Sequence, residues 1–409
     1  MKKISVVGGL VAGVCLAAAA GFLPPAQAEP TDQQLAKHGK AAPAHTATGP
    51  KDSAALSADL PYQAALSNQT TCEVDFSAVV TPPYGCKVLK VWMPLPPSDQ
   101  TQQIRNARLS TFPMRVKPQI ATESVYGNRF AYFEFHEPKG AQIIRHRFQA
   151  TVSNLNWNVD LAKVTDVADW PESFKPYLQS PQLEQHRELE KTLAEITQQP
   201  KRGPGVLVAA MRWVNDNLEY DHDQASLRAD PDHALAFRRG HCSDYHGLCA
   251  TLGRSLGFPT RVTYGLSLFP KNSPSHCKLE AFLPPYGWVS FDLSETQKLV
   301  EKIQAAGNLS DTEKKTLAEA AWQRLQRGYR ENSWLLVTRG TNYELAPKAS
   351  RPVAVVRTIY AEADGEPLPE PDPANRQQRE FGWMTVHHYV AERPLQHYGD
   401  LEPLRRAAR

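Results

Sequence analysis

The sequence predicts an α+β protein in which helices and a short run of strands form one core, with a small β-sandwich-like domain ahead of it. Three observations lead there. Residues 68 to 160 contain strand-length segments that largely alternate apolar and polar side chains. Between 184 and 256 the apolar period changes to three and four, the spacing of an amphipathic helix. Three strand candidates follow: Arg261 to Leu268, His276 to Leu283 and Trp288 to Leu293.

The chain has 409 residues, 41% hydrophobic and 22% charged, which is ordinary globular composition and enough for roughly two or three domains of about 150 residues. That excludes a collagen-like fibre and a multi-span membrane protein. With 46 basic and 43 acidic side chains the formal charge is +3, so no strong field exists for nucleic acid, and none is expected as a partner. The 33 prolines favour β-rich modules with irregular connections.

Lys2 and Lys3 precede an apolar run from Ile4 to Leu23, and Ala26-Gln27-Ala28 supplies the small residues a signal peptidase reads. Residues 1–28 are therefore expected to be a cleaved signal peptide. An uncleaved anchor is the alternative, disfavoured by the glycines in the run and by the small-x-small site. A lipid-anchored Cys15 is disfavoured because Val14 is bulky where such a signal needs a small residue. The mature protein is expected to be periplasmic or secreted, without stable membrane insertion. Residues 29–60, rich in Ala, Pro, Thr, Lys and His, bury too little surface to offset chain entropy and read as a disordered tether.

The first domain, 68–160, rests on the segments Val88 to Leu95, Arg129 to Phe135 and Ile143 to Val152. Helices are then expected over Glu184 to Thr197, Gly205 to Leu218 behind Pro204, and Cys242 to Leu256, the last stopped by Gly257-Phe258-Pro259. Glu313 to Gln326 is again helical, and Ser333 to Ala361 returns to β. The second domain spans 175–366 with this β extension, and 367–409 reads as a polar, Pro-rich C-terminal tail. No internal repeat is evident.

Six cysteines less Cys15 leave Cys72, Cys86, Cys242, Cys249 and Cys277, an odd number for an oxidising compartment. Cys72 and Cys86 are expected to form a short-loop disulfide stabilising by about 3 kcal/mol, with two buried free thiols as the alternative.

Chemistry concentrates between residues 240 and 292. In Gly240-His241-Cys242-Ser243-Asp244-Tyr245-His246 the cysteine opens a helix, where free backbone N–H groups and the macrodipole favour a thiolate. His276 opens one strand candidate and Asp292 ends the next. A hairpin turned at Pro284-Pro285-Tyr286-Gly287 would set both beside the helix end, the arrangement a nucleophile, base and orienting acid require.

These residues resemble a family. Gly240-x-Cys242-x-Asp244-Tyr245-His246, Arg254-x-x-Gly257-x-Pro259-x-Arg261-x-x-x-Gly265, His276-Cys277 and Gly287-Trp288-Val289-x-x-Asp292 are similar to the transglutaminase-like superfamily of papain-related thiol enzymes, closest to exported bacterial members with an N-terminal β domain. Such proteins also carry elements matched here by Trp92-Met93-Pro94-Leu95-Pro96, by Gly340-Thr341-Asn342-Tyr343-Glu344-Leu345-Ala346-Pro347 and by Tyr360-Ala361-Glu362-Ala363-Asp364-Gly365. The resemblance covers about residues 85 to 366 and implies a papain/transglutaminase-like core, with the nucleophile's helix packed on an antiparallel sheet. It implies Cys242 as nucleophile, His276 as base and then acid, Asp292 as the group holding the imidazole tautomer, and the Cys242 N–H as one oxyanion donor. The second donor stays open, with Trp213 and Tyr220 as candidates. One departure is that Cys277 and Lys278 stand where an aromatic residue commonly follows the histidine.

The implied function is acyl transfer at peptide or protein amide bonds through a thioester, without cofactor or metal. Hydrolysis is favoured over crosslinking, since water outcompetes dilute amines unless it is excluded. Cell-wall peptide is one substrate class compatible with export. The alternative is a peptide- or cell-wall-binding module that has lost catalysis, against which the complete Cys, His and Asp set argues. Cys249 reads as core, with a disulfide to Cys277 as the minor reading. A metal cluster of His241, Cys242, His246 and Cys249 is disfavoured because neighbouring His241 and Cys242 splay apart. Asp244 reads as a first-turn helix acid, His222 and His233 as solvated loop residues, and Trp288 as core packing.

Overall fold

The structure, a computed structural model, describes residues 56–181, 186–198, 203–271, 273–370 and 381–407. The expected signal peptide and the expected tether up to residue 55 lie outside the described residues.

In chain order the first strands are β1 (Ala65–Thr81), β2 (Val88–Leu95), β3 (Gln102–Phe112), β4 (Gln119–Thr122), β5 (Arg129–His136) and β6 (Gln142–Asn156). Helices α1 (Lys175–Leu178), α2 (Arg187–Thr197) and α3 (Gly205–Asn217) follow, then β7 (Glu219–Tyr220), α4 (Pro231–Phe237), β8 (Arg239–Gly240) and α5 (Cys242–Ser255). The core strands β9 (Thr260–Ser267), β10 (Ser275–Phe282) and β11 (Trp288–Phe291) come next, with α6 (Leu293–Ala305) and α7 (Asp311–Arg327) behind them. The chain closes with β12 (Tyr329–Arg330), β13 (Trp334–Arg339), β14 (Tyr360–Ala363), β15 (Glu366–Pro367), β16 (Gly382–Ala391) and α8 (Leu401–Ala407).

The α+β class holds. An antiparallel sheet in the order β11-β10-β9-β13 carries α5 on one face. Every residue of α5 from Cys242 to Gly253 is buried, so this helix is a central strut rather than an amphipathic surface element. Close approach explains its small residues: a Cβ at Gly247 would lie 2.6 Å from the Ala229 carbonyl oxygen, and one at Gly253 would lie 2.6 Å from Thr260 Cγ2.

The sandwich pairs a sheet of β12, β6, β1 and β16, with β3 also on β6, against the sheet β15-β14-β2-β5-β4. Cys72, Val74, Phe76, Ala78 and Val80 alternate inward from β1 against Leu89, Val91 and Met93 of β2 and Phe133 and Phe135 of β5. Each large side chain buried there contributes about 1.5–3 kcal/mol. The same cluster takes in Leu266 of β9 and Leu335 and Val337 of β13, so the sandwich core reaches the core sheet. Buried Gln102 ties them further, its amide donating to the Leu336 carbonyl at 2.8 Å and its oxygen accepting from the Leu336 N–H at 2.9 Å.

Four expectations are corrected. The tether ends before residue 58, because Ala58 and Tyr62 enter the core and the Ala58 carbonyl accepts from Trp288 Nε1 at 2.8 Å. The β extension after the helical core is divided: β13 joins the core sheet beside β9, but β14 and β15 belong to the sandwich, where Trp92 donates to the Pro347 carbonyl at 2.7 Å and Asp364 accepts from the Lys87 and Val88 N–H groups at 2.9 and 2.8 Å. Nor is the C-terminal segment merely a tail. Its alternating half-buried residues Trp383, Thr385, His387, Tyr389 and Ala391 make β16, paired along β1 from Thr81 to Cys72. Finally, Cys72 and Cys86 are both free, buried thiols. From Cys72 to the end of β1 at Thr81 the strand runs about 30 Å, and the turn from Thr81 to Cys86 can return at most about 18 Å. A disulfide needs the two Cα atoms within about 7 Å. Burial pushes the Cys72 thiol up to about 12.

Candidate active site

Cys242 is the first residue of α5, and local chemistry fixes it there. His241 caps the helix, its ring accepting from the Ser243 N–H at 3.3 Å, while Asp244 reaches back to accept from the His241 N–H at 3.0 Å. This reciprocal cap satisfies two of the N–H groups a helix start leaves open. Gly240 is required because a Cβ there would lie 2.6 Å from the Asp244 Cβ. Asp244 also accepts from the Ser226 hydroxyl, which anchors the preceding loop. Asp244 is thus the first-turn acid that the sequence suggests.

His276 stands on β10 opposite Gly265 of β9. The glycine is needed, since a Cβ at 265 would sit 2.6 Å from Trp334 Cζ2, and Trp334 Nε1 donates to the His276 carbonyl at 3.1 Å. Asp292 follows β11 and caps α6, its Oδ1 accepting from the Glu295 N–H at 3.1 Å. Its Oδ2 lies 2.7 Å from His276 Nε2, which leaves Nδ1 as the ring nitrogen for the thiol. Cys277 and His276 are among the groups that act on the Cys242 thiol and lower it. The structure therefore brings all three predicted site residues together, with Cys242 8%, His276 4% and Asp292 0% exposed.

The charges reinforce one another. Cys277, opposed by burial and aided by His241 and His276, holds the Cys242 thiol well below the usual thiol range. Burial pushes His276 down, but the Asp292 carboxylate and Cys242 outweigh it and hold the imidazole at about 9. Burial raises Asp292, yet His276 and Lys278 leave it well below the usual carboxylate range. These directions favour a thiolate at Cys242 and a protonated imidazole at His276.

For several residues here the structure supplies contacts that the sequence does not. Lys278, fully buried, bonds Asp292 Oδ2 at 2.5 Å and both Glu331 oxygens at 3.0 Å. The available signal was a lysine between Cys277 and Leu279 in a strand whose other residues are mostly apolar. His246 faces inward to the Leu293 N–H at 3.0 Å. Of the two oxyanion candidates, Trp213 is turned away, donating to Glu195 at 3.0 Å. Tyr220 is drawn in, because β7 pairs with β8 and sets Tyr220 opposite Gly240, close enough for the charge on Cys242 to act on its hydroxyl. Cys249 is a free core thiol raised by burial, and Cys277 is free as well. Trp288 is core, stacked under the Arg261 guanidinium at 3.9 Å. His233 Nε2 meets the Gln224 carbonyl at 2.7 Å, and half-buried His222 stacks edge-on against Tyr220.

Comparison with known proteins points to the same kind of fold. Residues 190–293 match the transglutaminase-like superfamily. An uncharacterized protein of Haemophilus influenzae is 25% identical over 187 residues, 39% of this chain and 49% of that protein. One from Mycobacterium leprae is 24% identical over 168 residues, 39% of this chain and 57% of that protein. The chain thus spans about half the length of these curated relatives. A candidate cysteine protease from Cytophaga hutchinsonii shares the fold with a TM-score of 0.51 at 14% identity, over 80% of this chain and 92% of that one.

Proposed function

We infer the function from one premise: residues 190–293 make this chain a member of the transglutaminase-like superfamily, and the protein is a thiol enzyme of that kind. We propose that it is exported and hydrolyses amide bonds of peptides or proteins, with Cys242, His276 and Asp292 as the catalytic residues. The observation that carries this is the buried line from the Cys242 thiol through His276 to Asp292.

In the proposed reaction Cys242 Sγ attacks the amide carbon and the carbonyl oxygen becomes an oxyanion. His276 Nδ1 gives its proton to the leaving amine, which departs as the thioester forms. Neutral His276 then takes a proton from water. The hydroxide adds to the thioester, and a carboxylic acid leaves while the thiolate is restored. The oxyanion is met by the Cys242 N–H and by the Tyr220 hydroxyl, which burial and the adjacent Cys242 keep protonated. Tyr220→Phe is expected to lower kcat by roughly a hundredfold with little change in KM; a KM effect alone would move Tyr220 to substrate binding.

The test of the whole reading is acid quench of the enzyme with a mixed peptide pool, followed by peptide mass analysis. An acyl group released by hydroxylamine is expected on Cys242. Its absence from Cys242, with peptides bound but uncleaved, would favour a binding module.

A further inference from the structure

In the proposed reaction His276 changes roles: it gives a proton to the leaving amine and then takes one from water. A lone buried carboxylate beside it would work against the second role, because it favours the charged imidazolium. The structure sets a cation against the same oxygen. Lys278 stands two residues beyond His276 on β10, so both side chains leave the strand on one face. Asp292 Oδ2 accepts from His276 Nε2 at 2.7 Å and from Lys278 Nζ at 2.5 Å. Its Oδ1 accepts from the Glu295 N–H at 3.1 Å and from the Ser294 hydroxyl at 3.3 Å. The remaining N–H groups of the ammonium go to the two Glu331 oxygens, each at 3.0 Å. Lys278 and Asp292 are fully buried, and His276 and Glu331 nearly so, so salt and solvent screen these charges little.

We propose that Lys278 is a positioning residue for the His276 proton: its ammonium fixes Asp292 Oδ2 and offsets the carboxylate's charge, so the imidazole can release its proton in the first step and accept one in the second. The proposal rests on His276 being the acid and base of the reaction above. Bonded to one oxygen, the imidazole and ammonium nitrogens lie within about 5 Å of each other, where like charges repel strongly in a buried site. Removing the ammonium therefore tightens the hold on the His276 proton. Glu331 acts with the opposite sign, since it offsets the ammonium in turn. The other titratable groups set toward this ring leave that balance to Lys278 and Glu331. His246 on α5, 6.3 Å away ring to ring, is neutral because burial pushes it down to about 4. Cys277, between the two residues on β10, and Tyr398, beside the ammonium, are both kept protonated by burial. Glu295 on α6 is paired with Lys298. Cys242 on α5 is the one further charge that holds the proton.

The experiment is an NMR titration of the His276 ring in the full chain labelled with ¹⁵N-histidine, its signals assigned by their loss in His276→Gln. Cys242→Ala is the common background, so that the thiolate's own pull on the proton is absent from every comparison. Adding Lys278→Met is expected to raise the His276 midpoint by about one to two pH units, a ten- to hundredfold tighter hold on the proton. Adding Glu331→Gln instead, which leaves the ammonium to Asp292 alone, is expected to lower it by up to about one unit. A merely structural ion pair would not give shifts of opposite sign, because loss of either partner would loosen Asp292 in the same way. A midpoint that stays or falls in Lys278→Met, or rises in Glu331→Gln, overturns the proposal. Should Lys278→Met fail to fold, the double change Lys278→Met with Glu331→Gln takes its place, with a smaller rise expected because the nearer charge is the ammonium; no rise there overturns the proposal equally. Failure of the underlying reading is seen separately, in the wild-type chain: iodoacetamide alkylation of Cys242 that sets in only near the ordinary thiol value of about 8.5 would overturn the thiol mechanism whatever the His276 titration shows.

Discussion

Cys242→Ala is expected to abolish amide turnover, with a loss on the order of 10⁴- to 10⁶-fold, while the melting temperature stays close to wild type. The helix start survives the change because its cap is made by His241 and Asp244 rather than by the thiol. His276→Ala should be equally inactive, and the double variant no worse, because the two groups act as one unit. Asp292→Asn should retain turnover, with a loss of roughly ten- to a thousandfold, since a thiolate at a helix start forms without help from a third residue. Activity against pH follows from the same pair. His276 is held at about 9, so the imidazolium is present below that value and is lost as the pH rises through it. The Cys242 thiol is depressed, so the thiolate persists well below the ordinary thiol range. A plateau across neutrality with a fall near pH 9 is the expected profile of kcat/KM. Residual activity in Cys242→Ala above that of a denatured control would exclude the thiol mechanism.

Lys278→Met is expected to lower the unfolding free energy by about 3–5 kcal/mol, a large share of the roughly 5–15 kcal/mol that holds a typical domain. The ammonium is fully buried between Asp292 and Glu331. Burial pulls it down, but the two carboxylates outweigh this and raise it above the usual lysine range. Methionine fills the space and leaves the buried carboxylates one cation short. Adding Glu331→Gln to Lys278→Met should restore part of the loss, because the second change removes the charge the first exposed. Urea unfolding of the two single variants and the double measures this directly. A loss below about 1 kcal/mol for Lys278→Met would show that water or rearrangement compensates the pair. The Tyr398 ring lies 5.1 Å from the Lys278 ammonium and its hydroxyl 2.7 Å from Thr296 Oγ1, so the C-terminal segment closes this network.

The sequence by itself determined the class of the fold and the start of α5, for a local reason. Gly240, His241, Cys242 and Asp244 lie within one helical turn, and their cap involves only neighbours. The strand periods of β2, β5 and β6 are equally local, as are the apolar faces of α2 and α3. What surrounds Cys242 was decided only by tertiary structure. Tyr220 is placed by a two-residue strand pairing too short to leave a pattern. Lys278 meets Glu331, and His246 meets Cys277, through long-range contacts that depend on strand register and on which face a side chain takes. The same dependence separated Cys72 from Cys86: closeness in sequence suggested a bridge, and the length of β1 ruled it out. It also returned β14, β15 and β16 to sheets begun far earlier in the chain, since a long strand such as β1 has an edge to cover and only a partner distant in sequence was left to pair with it.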